Sequence, residues 1–261
     1  MLNLLLVQWR PRKGDYDGNL QRIQALFSQI ATLDPQPDVV IFPETSLTGY
    51  FLEGGVRELA QPAAMVFADL QAAYLAARGS DAPPLDVVIG FYEIYRDRYF
   101  NSALYATLGG AENKERAPSG HTKNKEPGNN GTTEQRNLEL GTWNLELGPG
   151  IRHVHRKVFL PSYGVFDEAR FVESGHHITA FDTRWGRAAI LICEDAWHSL
   201  TGTIAALDGA QIVYIVSASP ARGTSGATPG NVEHWELLLR NMASEHGIYV
   251  AIAQLTGFEG G

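Results

Sequence analysis

The chain has 261 residues, 44% of them hydrophobic and 19% charged, with a formal net charge of −8. That length and apolar share suit one large globular domain, or two small ones, with ample material for a core, and the acidic balance without a long basic run makes nucleic acid and anionic membrane poor partners. A single cysteine excludes an intramolecular disulfide and any zinc site built on several cysteines, and a reducing cytoplasm is its simplest home.

The first element is LNLLLVQW, residues 2–9. It is short, and Arg10, Pro11, Arg12, Lys13 and Gly14 follow at once without a small-residue cleavage site, so it reads as a buried strand rather than a signal peptide. A helix is expected over 17–32 with Asp17 as its N-cap. DVVIF (38–42) is a second strand, and an Ala-rich helical pattern carrying Leu59, Met65, Leu70 and Leu75 covers 56–78. DVVIGFYEI (86–94) and YFNSALYATL (99–108) read as antiparallel neighbours, which makes the sheet mixed. RAAILIC (187–193), QIVYIVSAS (211–219) and IYVAIAQL (248–255) are three further strands, and a helix over 231–246 ends before Gly247, a residue suited to the C′ position. Most of these strands are too apolar to alternate, so both faces are expected to be buried. Strands alternating with helices give an α/β layered fold. No apolar run approaches the about 18 residues of a membrane span.

Residues 111–150 break the pattern. From Ala111 to Asn137 there is no Val, Ile, Leu, Met, Phe, Trp or Tyr, so the segment cannot bury enough surface to offset its ordering entropy. It reads as a mobile insertion on the surface, with a substrate lid as the sharper alternative. The NLELG repeat within RNLELGTWNLELG allows a short hairpin.

Three segments carry candidate chemistry. In LICEDAWH (191–198) the lone Cys193 ends a buried strand and is followed directly by Glu194 and Asp195. A lone buried cysteine is commonly just a small hydrophobe. The carboxyl end of a strand, however, is where ligands gather in α/β sheets, and a nucleophile there is followed by a backbone N–H able to meet an oxyanion. In DVVIFPETSLTGY (38–50), Glu44 follows another strand after Pro43. In an apolar pocket its pKa would rise toward that of a general base; the alternative is a solvated strand-end acid. In HRKVFLPSYGVFDEARF (155–171), Lys157 sits in a strand-like run continued by Val158, Phe159 and Leu160 and closed by Pro161. A lysine entering an apolar run needs a charged partner, unless it snorkels to the surface.

Taken in order, FPET, HRKVFLP and LICEDAWH resemble the glutamate, lysine and cysteine motifs of the nitrilase superfamily of carbon–nitrogen hydrolases. The resemblance spans nearly the whole chain apart from 111–150. It implies a single carbon–nitrogen hydrolase domain over 1–261, folded as a four-layer αββα sandwich. It implies Glu44 as general base, Cys193 as nucleophile and Lys157 as the cation that stabilises the tetrahedral intermediate. The superfamily carries a second glutamate seven residues before a glycine; EARFVESG puts Glu168 there, before Gly175, with the role of positioning substrate and supporting the lysine. A homodimer or larger homo-oligomer is implied as well, and neither cofactor nor metal is called for.

Within the superfamily, CEDxW and LPSYGVFDE-AR resemble the glutaminase domains of glutamine-dependent NAD synthetases. That branch contacts its amide through the residue after the nucleophile, an aromatic four after it and a tyrosine six after the lysine, here Glu194, Trp197 and Tyr163. SASPARG (217–223) resembles the branch's Ser- and Arg-bearing loop, making Ser219 and Arg222 candidates for an amino-acid carboxylate. No SGGxDS-type loop follows, so this sequence does not make NAD by itself. It stops at GFEGG, where family members continue with another strand near the site; either the chain is truncated there or its tail lies beyond Gly261. The first expectation is therefore an amidase acting on a small amide. The second is a glutaminase supplying ammonia to a separate synthetase, and a silent binding or regulatory homologue is a third.

Two other chemistries are weaker. His153, His155, His176 and His177 could ligate a metal with an acid, but no HExxH is present and the first two are spaced i, i+2 between arginines. His198 could pair with Cys193. Tyr50, Tyr92, Phe166 and Trp185 could line a pocket, although aromatic residues more often fill a core.

Overall fold

The computed structural model describes residues 1–50, 55–110, 150–162, 167–219 and 230–256. Strands β1 (Leu4–Leu6), β2 (Val39–Ile41), β3 (Leu85–Tyr95), β4 (Arg98–Leu108) and β5 (Ile151–Arg156) form one sheet in that spatial order. Strands β6 (Phe181–Thr183), β7 (Gly186–Ile192), β8 (Ile212–Ser217) and β9 (Tyr249–Gln254) form a second. β1, β2 and β3 are parallel, and β4 is antiparallel to both β3 and β5, so β5 points the same way as β3. β6 is antiparallel to β7, and β7, β8 and β9 are parallel.

In the inner strands the continuous apolar runs are explained by side chains alternating between two buried layers; the edge strands β1, expected to be buried, and β9 are only partly covered, with Leu6 and Tyr249 exposed. On β2, Val39 and Ile41 face the second sheet, while Val40 packs with Ile23 and Phe27 of helix α1 (Tyr16–Ile30). On β7, Ala188, Ile190 and Ile192 face the first sheet, while Ala189 and Leu191 pack with Ala205 of α4 (Ser199–Leu207) and with Trp235 and Met242 of α5 (Gly230–His246). Tyr105 on β4 fills the middle, edge-on to Phe181 at 5.3 Å and tilted against Tyr214 at 5.8 Å. The result is helix, sheet, sheet, helix: the αββα sandwich.

Four local expectations are corrected. The N-cap of α1 is Asp15, whose carboxylate accepts the Gly18 N–H at 2.9 Å; Asp17 lies in the first turn, where the helix dipole also favours an acid. The pattern over 56–78 is two helices, α2 (Val56–Leu59) and α3 (Ala63–Arg78), because Pro62 offers no N–H and keeps Gln61 out of helical conformation. Lys157 does not open a strand. The strand is β5 before it, and Val158, Phe159 and Leu160 lie in the following loop. Trp185 is far from any strand end that carries a motif residue: it caps the β6–β7 hairpin, its indole N–H 3.0 Å from Asp86 Oδ2. Strand β6 and helix α4 have no counterpart among the sequence expectations. The insertion expected at 111–150 lies outside the described residues but for Gly150.

One glycine fixes how the first sheet approaches the segment after β2. A Cβ on Gly90 of β3 would stand 2.5 Å from Glu44 Cα and 2.7 Å from the Thr45 nitrogen. Both are backbone atoms and cannot swing aside. Gly90→Ala is therefore expected to destabilise the fold by about 1–3 kcal/mol, read as a lowered midpoint in urea denaturation.

Candidate active site

All strands that carry a motif residue end at one edge of the sandwich. Glu44 follows β2, Lys157 follows β5 and Cys193 follows β7, each within three residues of the strand end. The two sheets touch there: Glu44 Oε2 accepts the N–H of Ala218, just past β8, at 2.7 Å. The whole loop Phe42–Tyr50 is buried, and its carbonyls find donors in the Trp9 indole, 3.0 Å from Ser46 O, and the Asn19 amide, 3.0 Å from Leu47 O.

Lys157 is fully buried. Its Nζ lies 2.9 Å from Glu44 Oε1 and 2.8 Å from Glu168 Oε2, and the Tyr50 ring covers it at 5.7 Å. Asn101 on β4 joins the two carboxylates from the other side, its amide donating to Glu44 Oε1 at 2.7 Å and to Glu168 Oε1 at 2.8 Å. The backbone sets these positions. The Lys157 N–H extends the β4–β5 ladder by one bond to Asn101 O at 2.8 Å, and the Gly175 N–H holds Lys157 O at 2.7 Å. A Cβ on Gly175 would collide with the Arg156 carbonyl, which is the physical reason for a glycine seven residues after Glu168.

Burial alone would push the Lys157 pKa down, but the charges of Glu168 and Glu44 outweigh it and hold the ammonium well above the ordinary lysine value. Burial raises the Glu44 pKa, and Glu168 adds to the rise; the lysine opposes it without cancelling it. Two carboxylates thus share one cation, and Glu44 is a stronger base than an ordinary glutamate.

Cys193 has a left-handed backbone, φ 44°, and so has Thr45, φ 48°, next to Glu44. Such a residue costs on the order of 1–3 kcal/mol and is held by its surroundings. For Cys193 the surroundings are the end of β7 and the 3₁₀ turn Cys193–Trp197. Burial and then the charge of Glu44 push the thiol pKa up; Lys157, the Ser217 hydroxyl and the Ala218 N–H pull it down by less. The acid that acts on the sulfur is therefore Glu44 across the sandwich, and the resting thiol keeps its proton.

Of the expected substrate contacts, Glu194 is half-buried with its carboxylate 3.7 Å from His198 Nε2. His198 in turn stacks on Phe159 at 3.8 Å. Trp197 stacks on His234 at 4.5 Å and meets Trp235 edge-on at 5.3 Å. Ser219 is half-buried, its N–H 3.3 Å from Ser217 Oγ. Tyr163, Phe166 and Arg222 lie outside the described residues. Tyr92 packs with Val56 and Val172, and Tyr50 lies over the lysine. The histidines are dispersed: His153 stacks on Phe181, its pKa pushed down to about 3 chiefly by burial, while His155 meets Asp195, and His176 and His177 are exposed. Among the described residues no three His, Cys, Asp or Glu side chains are grouped to hold a metal ion.

Asn101, Ser217 and Ala218 lie inside segments that the sequence reading quotes, but none of the three is singled out there. Asn101 was visible as an amide inside the apolar run YFNSALYATL, a position where a polar side chain needs an internal partner.

The model of the family described as carbon–nitrogen hydrolase matches residues 5–261. The chain belongs to the carbon–nitrogen hydrolase family. It is an enzyme of the class that acts on carbon–nitrogen bonds. Among its relatives is the glutamine-dependent NAD(+) synthetase of Thermotoga maritima, 26% identical over 224 residues, which are 84% of this chain and 30% of that protein. An (R)-stereoselective amidase from a Pseudomonas species is 33% identical over 106 residues, 41% of this chain and 36% of that protein. Among solved structures, an amidase of the nitrilase superfamily from Nesterenkonia AN1 superposes with a TM-score of 0.67 at 18% identity, covering 100% of this chain and 78% of that one. The chain spans about a third of the length of the NAD synthetases it matches, 30% and 36% for those of T. maritima and Aquifex aeolicus. No described helix is long and apolar enough to cross a membrane.

The charge balance of the buried cluster yields unequal outcomes for two substitutions. Lys157→Met leaves two carboxylates buried without their cation and is expected to cost about 3–5 kcal/mol. Glu44→Gln keeps a balanced Lys157–Glu168 pair but turns an amide NH2 toward the Ala218 N–H that Oε2 accepts, and is expected to cost only about 1–3 kcal/mol. Thermal unfolding of both variants checks the pair.

Proposed function

We propose that the chain is a thiol amidase, hydrolysing a non-peptide C–N bond of a small amide and releasing ammonia, with the whole of 1–261 serving as one catalytic unit. The observation that carries this reading is the buried Lys157 ammonium, shared by Glu44 and Glu168 and acting on the thiol of Cys193. An ammonium that stays charged in a site without water stabilises a developing oxyanion far better than it would in water.

In this reading Glu44 takes the Cys193 proton as Sγ attacks the amide carbonyl. The oxyanion rests on Lys157 and on the N–H of Glu194. Collapse breaks the C–N bond, and ammonia leaves with the proton returned by Glu44. Water then gives a proton to Glu44 and its oxygen to the thioester carbonyl; the acid departs and the thiol is restored. Glu168 orients the amide and anchors Lys157. Each oxyanion donor is worth about 2.7–4 kcal/mol of barrier. Glu194, Trp197 and Ser219 are assigned to the substrate, and Tyr163 and Arg222 are assigned with them from their motifs alone, Arg222 to a carboxylate. No cofactor enters any step.

The second reading is a glutaminase that passes ammonia to a separate synthetase. It is favoured by similarity to NAD synthetases of which the chain spans only about a third. Function as a homodimer, in a reducing cytoplasm that keeps the one thiol free, belongs to either reading.

The test is ammonia and acid release across a library of ω-amides, aliphatic amides, carbamoyl compounds and nitriles. Amides are expected to turn over, and Cys193→Ala to abolish turnover with the melting temperature nearly unchanged; a fully active alanine variant, or no turnover of any amide, would end the proposal. The pH profile is a second check. The base must be ionised, and burial lifts its pKa above the ordinary 4.5, so kcat/KM should fall as pH drops through a value above 4.5. An acid limb at or below that value counts against Glu44.

A further inference from the structure

Asp195 lies two residues past Cys193 and is fully buried. Its Oδ1 accepts the N–H groups of Val158 at 3.0 Å and Phe159 at 2.9 Å. Its Oδ2 accepts the Ile192 N–H at 3.1 Å and meets Nε2 of His155 at 2.9 Å. An ionised carboxylate only accepts, so His155 donates through Nε2. From behind, the Thr201 hydroxyl donates to the Asp195 carbonyl at 2.7 Å.

The donors have a pattern. Ile192 directly precedes Cys193, Val158 and Phe159 directly follow Lys157, and His155 is the strand residue two before it. One carboxylate therefore bonds the backbone just before the thiol, the backbone just after the lysine and, through the His155 side chain, the strand before the lysine; thiol and lysine follow strands of different sheets. The four hydrogen bonds compensate a charge that burial would otherwise make costly. They also brace an elbow whose left-handed Cys193 has to be held against strain.

We propose that Asp195, oriented by His155, is a positioning residue: it ties the Cys193 elbow to the strand end that presents Lys157 and so sets the spacing of thiol and ammonium. The inference rests on the hydrolase reading for what the thiol does, though not for the tie itself. A pair from two sheets is joined covalently only through the long excursion of residues 158–192, which does not fix their spacing, and a displacement of about 1 Å can cost about 100-fold in rate.

The test compares three variants at His155. Gln carries its amide nitrogen roughly where the histidine has Nε2 and keeps the hydrogen bond. Asn is one methylene too short, and Phe has no donor. The readouts are kcat and KM on an amide that the parent turns over, the second-order rate of iodoacetamide alkylation at Cys193, the chain's only cysteine, and urea unfolding. His155→Gln should stay close to the parent. His155→Asn and His155→Phe should lose about ten- to a hundred-fold in kcat with KM unchanged, alkylate more slowly, and remain folded at the assay temperature. Should the Phe variant not fold, the Gln and Asn pair makes the same comparison. The proposal is overturned if the donor-less variants match the parent in kcat and alkylation, if Gln loses as much as Phe, or if the losses follow the unfolded fraction. A parent inert toward every amide, with the alkylation series ordered as above, would defeat the hydrolase reading and leave the tie standing.

Discussion

A lysine ammonium enclosed by two carboxylates in the interior is the constraint on which the rest of the structure depends. Lys157 has no solvent exposure, and neither does Glu44. Such groups stay charged only if every charge meets an opposite charge or a hydrogen bond. The cluster holds one carboxylate more than it has ammonium groups, and the deficit is covered by the Asn101 amide and the Ala218 N–H. Those donors come from β4 of one sheet and the end of β8 in the other. The cluster forms only where the two sheets meet, so the sandwich and the candidate site are one arrangement.

The same cluster accounts for the state of the thiol. A low thiol pKa would make Cys193 permanently reactive. Here burial and the nearby Glu44 charge keep it protonated, and the lysine only moderates that. In the proposed reaction the thiol becomes a nucleophile only as its proton is taken, and the environment that raises the thiol also raises Glu44, the proposed base. Rigidity comes from close backbone approach: Gly90 against the Glu44 segment, Gly175 against Arg156, and left-handed residues at Thr45 and Cys193 locked by adjoining strands.

Specificity is a different matter from chemistry. Around the 3₁₀ turn that begins at Cys193, rings stack in pairs, Phe159 on His198 and Trp197 on His234, with the Glu194 carboxylate 3.7 Å from His198. These rings belong to loops and to α5 rather than to the strand ends, so they can vary without disturbing the buried charges. In the proposed reaction the buried charges carry the chemistry, and this outer layer is the part assigned to the substrate.

The sequence by itself determined seven of the nine strands, all but β5 and β6, because unbroken apolar runs of strand length have to be buried, and it determined that Glu44 and Cys193 stand at strand ends, because Pro43 and the turn residues after Cys193 interrupt those runs. The antiparallel β3–β4 pair and the helix before Gly247 were legible for the same reason: periodicity and turn chemistry act along the chain. Local choices between near-equivalent neighbours were not legible. Asp15 and Asp17 both suit an N-terminus, and geometry selects one. Lys157 borders two apolar stretches, and only pairing with β4 shows that the strand is the one before it. The tertiary structure alone decided which side chains meet. Asn101 between two glutamates, Asp195 on His155, and Ala218 on Glu44 are contacts between segments far apart in sequence. Pattern along a chain carries no record of such contacts, because they arise only when two sheets pack and buried polar groups have to find partners across the gap.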